Sequence, residues 1–318
     1  MIGIFDSGVG GLTIVKEVFR LLPQYQVIYF GDLARSPYGT KSKETVIRFA
    51  HQIVKFLHNE GAKIVIVACN TASAEAADSL RKEFKIPIFD VISPQVKEAL
   101  KITKNKKIGV IGTKGTIESQ AYQKALKNLD PNIELYTKAC PLFVSLIEEN
   151  FTKRPETKKI ARFYLRELKN YGIDTLILGC THYLLLEKTI SQVMGKRVTL
   201  VDSRKVTNLV LQEIENNKKL KGALQKGSLV SKGQLSWSKG KNHQFYFSDL
   251  PNNFVISEFA KFRNLTRFAK APARRTGRQL AVNSLAVSRS ADGQELSLKF
   301  LGQPPLKVKL VDLDEIER

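Results

Sequence analysis

Two apolar runs of this chain end in the same way, and this repetition constrains the fold more than any other feature. Residues 64–68 are apolar and lead directly to Cys69, and residues 176–179 lead to Cys180. Polar side chains follow each cysteine at once. Each run therefore predicts a buried strand that carries a thiol to its carboxyl end.

An earlier pair of runs extends the repetition. Gly3 lies in an apolar run near the start of the chain and Gly109 in a similar one, 66 residues before Cys69 and 71 residues before Cys180. This internal pseudo-repeat predicts two half-domains of related fold. Such half-domains can face each other across a cleft with one thiol on each side. A thiol on each face of a bound carbon is what stereochemical inversion by proton exchange requires.

Short apolar runs alternate with longer amphipathic stretches, which predicts an α/β fold of two pseudo-symmetric lobes, each a mainly parallel sheet flanked by helices. The predicted strands are Ile2–Phe5, Gln26–Phe30, Ile64–Val67, Ile88–Val91, Lys107–Ile111, Glu134–Lys138, Thr175–Leu178 and Thr199–Val201. The predicted helices are Leu12–Leu22, Lys43–Glu60, Ala72–Phe84, Gln95–Thr103 and Lys158–Tyr171. Ligands of open α/β sheets bind beyond the carboxyl ends of the strands, so we expect convergence there of Asp6, Asp32, Cys69 and Cys180.

The lobes are not contiguous in sequence. We expect residues 1–95, together with about 204–262 and 299–318, to form the first lobe, and residues 96–203 to form the second. Residues 263–298 hold six arginines and one lysine, although the preceding chain prefers lysine. Since this stretch also lacks a sustained helix or strand period, it is predicted to be an inserted, surface-exposed and poorly ordered segment.

Four further elements are predicted around that segment. Residues 216–243 are rich in lysine, glycine and serine and are predicted to form a loop. A strand is predicted over Gln244–Ser248, a short helix over Asn253–Phe262, and a last strand over Leu306–Val311.

Composition excludes several classes of protein. The 318 residues contain no apolar run long enough to span a membrane, and the first residues lack the features of a signal peptide. Three widely spaced cysteines do not form a disulfide framework, and no metal-ligand spacing links them to the four histidines. We therefore expect no metal, no membrane association and a reducing cytoplasm. The net charge of +21 is interpreted as a lysine-rich surface, because no nucleic-acid motif accompanies it.

Seven motifs punctuate the first two thirds of the chain: Phe5–Thr13, Gly31–Gly39, Val67–Ser73, Gly109–Thr113, Cys140–Phe143, Leu178–Tyr183 and Leu200–Ser203. Together they closely resemble the signatures of the glutamate racemase family. The resemblance covers roughly residues 1–215 and returns at Phe300–Gly302, which is similar to the end of the family's last helix.

The resemblance implies a cofactor-independent isomerase in which Cys69 and Cys180 are the acid–base pair. It implies that Asp6 and His182 tune proton transfer, with Glu148 acting near Cys180. The substrate's ammonium and carboxylates would be bound by Asp6, Ser7, Pro37, Tyr38, Gly39, Asn70, Thr71, Thr181 and His182.

Plainer interpretations stay open at several of these positions. Asp6 can also cap a helix, and Glu148 is equally consistent with an exposed helix residue. Cys140 lacks the strand-to-turn context and is predicted to be structural. Leu33, Ser145, Leu184 and the pair Arg204–Lys205 depart from the family pattern, as does Asp90, whose carboxylate we expect to disturb packing near the hinge between the lobes.

The leading hypothesis is racemisation of glutamate by a cytoplasmic homodimer, supplying D-glutamate for peptidoglycan. An aspartate racemase or related two-cysteine isomerase is the alternative, although the Asp6–Gly11 and Thr181–Tyr183 sequences favour glutamate. A nucleic-acid-binding protein on a degenerate racemase scaffold is a more distant alternative, against which the retained cysteine pair argues. Weak polyanion binding is expected through the Lys/Arg-rich C-terminal region.

Overall fold

The computed structural model describes residues 1–225, 244–248, 285–289, 295–300 and 306–310. The strands are β1 (Ile2–Asp6), β2 (Val27–Gly31), β3 (Ile64–Val67), β4 (Ile88–Asp90), β5 (Lys107–Gly112), β6 (Glu134–Ala139), β7 (Thr175–Gly179), β8 (Thr199–Val201), β9 (Gln244–Phe247), β10 (Leu285–Arg289), β11 (Glu295–Phe300) and β12 (Leu306–Leu310).

The helices lie between and after these strands. They are α1 (Leu12–Leu21), α2 (Lys43–Asn59), α3 (Asn70–Glu83), α4 (Ile92–Ile102), α5 (Lys114–Glu118), α6 (Ala121–Leu129), α7 (Leu142–Glu148), α8 (Pro155–Asn170), α9 (Glu187–Met194), α10 (Val206–Asn216) and α11 (Lys218–Gln225). Short 3₁₀ turns are present at Leu33–Arg35, Tyr38–Thr40, Thr181–Leu186 and Ser203–Lys205. Among the described residues, no helix is long and apolar enough to cross a lipid bilayer.

The strands form two sheets, as the pseudo-repeat predicts. The first has the order β10-β11-β12-β9-β2-β1-β3-β4, and the second has the order β6-β5-β7-β8. All pairs from β9 through β4 in the first sheet, and all pairs in the second, are parallel. In each sheet a strand with helices on both sides is buried along its length, which explains the continuous apolar runs of β3 and β7. The predicted α/β fold is confirmed.

Within residues 1–225, two segments connect the lobes. The first is helix α4, which packs on strand β7 and helix α6 of the second lobe. In the second, the chain returns through β8 to helix α10, which packs on α1 of the first lobe. The largest apolar cluster includes residues of both lobes, such as Leu12 and Leu178. The lobes therefore share a core next to the cleft between them.

The strands described near the C-terminus extend the first sheet. Strands β10 and β11 are antiparallel, and β11 continues through β12 to the parallel strand β9. Strand β10 and most of β11 lie within residues 263–298, and the rest of this predicted insertion lies outside the described residues, so its predicted poor order stays a prediction. Leu285 and Val287 are two residues apart, as are Leu296 and Leu298, and this period of two is typical of a strand. The pattern covers too few residues to indicate a strand within the surrounding polar sequence. The predicted helix Asn253–Phe262 lies outside the described residues.

Asp90 does not disturb the hinge. Its carboxylate is buried, forms an ion pair with Arg81, and accepts the Ser93 backbone N–H at 2.7 Å and the Ser93 hydroxyl at 2.9 Å. These bonds satisfy a free N–H in the first turn of α4 and pair the charge. The expected disturbance is therefore wrong, and α4 begins at Ile92, earlier than the predicted Gln95.

Candidate active site

A small cleft lies between the lobes. It is lined by Ser7, Ser36, Pro37, Tyr38, Gly39, Cys69, Asn70, Thr71, Thr113, Val144, Cys180, Thr181 and His182. Most of these side chains carry a hydroxyl, amide, imidazole or thiol group. The cleft therefore suits a small polar ligand.

The two cysteines reach this cleft from equivalent strands. Cys69 follows β3 and precedes α3, whereas Cys180 follows β7 and precedes a 3₁₀ turn. Their exposed fractions are only 5 % and 8 %, and neither forms a disulfide. The convergence predicted from the pseudo-repeat is present, with one thiol from each lobe.

Burial and a neighbouring acid hold Cys69 in its thiol form. Burial raises the pKa of Cys69 to about 12, and the Asp6 carboxylate contributes further to this rise. The Cys69 thiol lies 3.6 Å from the Ser7 hydroxyl oxygen, to which it can donate. A positive charge placed in the cleft would counteract the effect of Asp6 on this pKa.

Asp6 lies behind the cleft wall and has no exposed surface. Its Oδ2 accepts the Gly11 backbone N–H at 2.8 Å and lies 3.4 Å from the Thr181 hydroxyl. Burial raises the pKa of Asp6, although the nearby His182 opposes the rise. Asp6 is not among the cleft-lining residues, so its place supports an electrostatic role rather than the predicted direct contact with substrate.

His182 connects Cys180 with Glu148. Its Nδ1 lies 3.9 Å from the Cys180 sulfur, and its Nε2 lies 3.2 Å from Glu148 Oε1. The second distance is that of an ion pair, although the ring N–H is not aligned with the carboxylate oxygen. Burial alone would lower the pKa of His182, but Cys180, Glu148 and Asp6 favour the cation and raise it well above its ordinary value. Glu148 thus contacts the imidazole that lies next to the second thiol, and its predicted role stays a prediction.

Replacing Glu148 by glutamine is expected to move the alkaline limb of the pH–activity profile to lower pH. The raised pKa favours the His182 cation, and the cation is lost as pH rises through that pKa. Without the Glu148 charge the pKa falls, so the cation is lost earlier. The measurement is kcat/KM against pH. Glu149→Gln, which changes the exposed neighbouring carboxylate, is the matched control, and an unmoved limb in Glu148→Gln would contradict the link.

Asp32 supports the loop that carries Pro37, Tyr38 and Gly39. Its Oδ2 accepts bonds from the Tyr38 hydroxyl and, at 2.7 Å, from Arg35 Nε. Its Oδ1 accepts the Ser248 hydroxyl at 2.8 Å. Asp32 falls at the carboxyl end of β2 as predicted, but these bonds make it an anchor of the loop, and it does not line the cleft.

Three hydroxyls join the lobes beside the cleft. Thr71 of α3 lies 2.9 Å from Thr113 and 3.1 Å from Thr116, and these two lie 3.0 Å apart. A ring of three hydroxyls can satisfy every donor, because each donates once and accepts once. Prediction from sequence omitted Thr113 from the site, although its place in the pseudo-repeat, matching the residues after β1, was a usable signal.

Ser36 and Val144 also line the cleft, although neither was predicted from the sequence. The third cysteine lies outside the cleft. Cys140 is buried and does not line the cleft; its sulfur lies 3.7 Å from the Lys138 carbonyl oxygen. Burial raises its pKa too. These surroundings are those of a structural cysteine.

Comparison with known proteins agrees with the fold and the cleft. Residues 10–207 match the family model for Asp/Glu/Hydantoin racemase. Glutamate racemase of Geobacter metallireducens is 47 % identical over 254 residues, which cover 80 % of this chain and 89 % of that protein. Glutamate racemase of Aquifex aeolicus is 48 % identical over 216 residues, covering 68 % and 84 % respectively.

Solved structures give the same result. The crystal structure of glutamate racemase from Francisella tularensis in complex with D-glutamate has a TM-score of 0.71 and 38 % identity, covering 83 % of this chain and 93 % of that one. A Bacillus anthracis glutamate racemase isoform has a TM-score of 0.70 and 35 % identity, covering 88 % and 97 %. Two lobes built on parallel strands, with a polar cleft that holds one thiol from each lobe, define an isomerase of the same class as these racemases. The chain belongs to the Asp/Glu/hydantoin racemase family, and the resemblance to glutamate racemase is confirmed.

Proposed function

We propose that this chain interconverts L- and D-glutamate by moving a proton at the α-carbon between two thiols, without a cofactor. The observation that carries the proposal is the pair Cys69 and Cys180, brought by equivalent strands of two lobes to one cleft. Inversion requires removal of the proton from one face of the carbon and delivery to the other. A cleft with a thiol from each lobe offers an acid–base group to both faces.

The chemical step conserves its protons. One cysteine, as thiolate, takes the α-proton, and the electron pair of the broken C–H bond delocalises toward the substrate carboxylate. The other cysteine, as thiol, gives its proton to the opposite face and becomes the thiolate. The enzyme is then ready for the reverse reaction with the new enantiomer.

The surroundings of the thiols favour this step once substrate is bound. The raised pKa of Cys69 keeps it protonated in the empty cleft, whereas the substrate ammonium would stabilise a thiolate nearby. On the other side, the His182 cation lies next to Cys180 and would stabilise its thiolate. Hydroxyl and amide groups from Ser7, Asn70 and Thr181 line the cleft and can bind the substrate's polar groups.

Glutamate is preferred over aspartate as substrate. The Asp6–Gly11 and Thr181–Tyr183 sequences favour glutamate, and the proteins with 47 % and 48 % identity are glutamate racemases. The test is a circular-dichroism assay of purified protein with L-glutamate and L-aspartate, without added pyridoxal phosphate. We expect loss of optical activity with glutamate and little change with aspartate. Faster loss with aspartate would assign the alternative activity.

Solvent deuterium provides a second, independent measurement. In deuterium oxide the product enantiomer is expected to carry deuterium at the α-position, because the thiol that delivers the proton exchanges with solvent. Product formed with complete retention of the substrate's α-hydrogen would exclude delivery by an exchanged thiol.

The cellular role and assembly follow from the same proposal. Production of D-glutamate would serve peptidoglycan synthesis, and the buried free thiols suit a reducing cytoplasm. A homodimer, the lobe boundaries and weak polyanion binding by the Lys/Arg-rich C-terminal region stay predictions. Sedimentation at several salt concentrations, with and without a polyanion, tests the first and last of these.

A further inference from the structure

A buried chain of polar groups runs beneath the cleft from one lobe to the other. The Tyr122 hydroxyl lies 2.6 Å from Asn70 Oδ1 and 2.6 Å from Gln95 Oε1. Gln95 Nε2 donates to the Leu178 carbonyl at 2.9 Å, and Asn70 Nδ2 lies 3.1 Å from the Ser203 hydroxyl. The four side chains of this hydrogen-bond network are each at most 4 % exposed.

This hydrogen-bond network links the cleft, strand β7 and the two segments that connect the lobes. Asn70 directly follows Cys69 and lines the cleft, and Leu178 lies on β7 two residues before Cys180. Gln95 and Ser203 belong to the two segments that connect the lobes. The Tyr122 ring also packs beneath Gly179, where an added Cβ would lie 3.2 Å from the ring.

The direction of each hydrogen bond in this network follows from which groups can donate and which can only accept. A tyrosine has one O–H, so it cannot donate to two amide oxygens at once. The Leu178 carbonyl only accepts, which fixes Gln95 with its nitrogen toward Leu178 and its oxygen toward Tyr122. Tyr122 must therefore donate to Gln95, and burial raises its pKa well above the ordinary value, which keeps this proton in place.

The remaining lone pair of Tyr122 then faces Asn70. The oxygen and nitrogen of an amide have the same shape, and the hydrogen-bond network decides which occupies each position. Turning the Asn70 amide by half a rotation lets its nitrogen donate to Tyr122 and its oxygen accept from Ser203. Each amide oxygen and hydroxyl of the network then has a partner, and Asn70, which lines the cleft, keeps one N–H that the network does not use.

We propose that Tyr122 and Gln95 are positioning residues that hold the Asn70 amide with a donor toward the cleft, so that the site selects a ligand carboxylate there. The proposal rests on the proposed function for its ligand and deepens it. A donor facing the cleft binds a carboxylate oxygen, whereas an amide oxygen in the same place would repel it. Tyr122 acts through Asn70 and does not touch the substrate.

Tyr122→Phe tests the proposal, because it removes the hydroxyl and keeps the ring that packs beneath Gly179. We expect KM for glutamate to rise about tenfold or more with a much smaller change in kcat, the effect of losing one well-placed hydrogen bond to a charged group. Tyr246→Phe is the matched control, because its hydroxyl bonds Glu60 at 2.6 Å from a buried ring outside the cleft lining. The control should leave KM unchanged.

A double-mutant cycle separates positioning from simple packing. If Tyr122 acts through Asn70, adding Tyr122→Phe to Asn70→Ala should raise KM little further. The same fold increase in both backgrounds, or an unchanged KM in Tyr122→Phe alone, would overturn the proposal. A loss of thermal stability shared with Tyr246→Phe would not count for it.

A measurement without turnover distinguishes this proposal from the proposed function. The ¹⁵N side-chain amide signal of Asn70, assigned with Asn70→Asp, is expected to shift in Tyr122→Phe and not in Tyr246→Phe. A wild-type protein that fails to racemise glutamate would contradict the function alone, while an Asn70 signal unmoved by Tyr122→Phe would overturn the positioning role.

Discussion

Replacing either Cys69 or Cys180 by alanine is expected to lower the rate of racemisation by about 10³-fold or more. Positioned acid–base groups contribute about 10²–10⁴-fold each, and without one thiol a face of the α-carbon has no proton donor or acceptor. Both sulfurs lie in the cleft. Racemisation followed by circular dichroism measures the loss, and melting temperature shows whether the fold is retained.

Cys140→Ala is the matched control for both variants. Cys140 is as buried as the other two cysteines but does not line the cleft. Its replacement removes one buried sulfur and should therefore cost stability, with kcat/KM within a few-fold of wild type. Substantial turnover by Cys69→Ala or Cys180→Ala would show that the two-thiol mechanism is wrong.

Gly39→Ala is expected to lower kcat/KM by at least about 100-fold, since misplacing groups in a site by about 1 Å can cost this much. A Cβ at position 39 would lie 2.3 Å from the Thr113 Cβ of the other lobe. Because the backbone fixes the position of each Cβ, side-chain rotation cannot relieve this contact. The lobes must therefore separate or the loop must shift. Either movement disturbs the approach of the two walls of the cleft.

Gly222→Ala provides the comparison, because a Cβ there meets no atom within 4 Å. This change lies in helix α11, where alanine is favoured over glycine, so activity should be unchanged and stability equal or slightly higher. Steady-state kinetics of the two variants side by side give the result. Wild-type kcat/KM in Gly39→Ala would show that the contact between Gly39 and Thr113 yields without affecting catalysis.

The strands were predictable because burial on both faces leaves little ambiguity in sequence. The strands β3 and β8 have the predicted bounds, and β1 and β7 end one residue later than predicted. Short helices such as α5 and α7 were missed, since each has too few residues to show a helical period. Strand β10 was not predicted because its period-two pattern is short, and its pairing with β11 is not visible in the local sequence.

The residues of the site were predictable where they follow a strand, and less so where the lobes meet. Cys69 and Asn70 lie shortly after the end of β3 and Thr181 shortly after the end of β7, and all three line the cleft. Thr116 and Tyr122 lie in helices and act through contacts with distant residues, which a single sequence does not reveal. Asp32 was expected to converge with the thiols, but three hydrogen-bond donors direct its carboxylate into the supporting loop.

The unequal surroundings of the two thiols have a consequence for how the reaction would be observed. Cys69 has a buried acid behind it, whereas Cys180 has an imidazole beside it, so the two protonation forms of the empty enzyme differ in free energy. The mirror-image substrates themselves have equal free energies, so the ratio of kcat/KM for the two directions must equal one. The asymmetry of the protein can therefore appear only as compensating differences in kcat and KM. One enantiomer should have the higher kcat and, by the same factor, the higher KM.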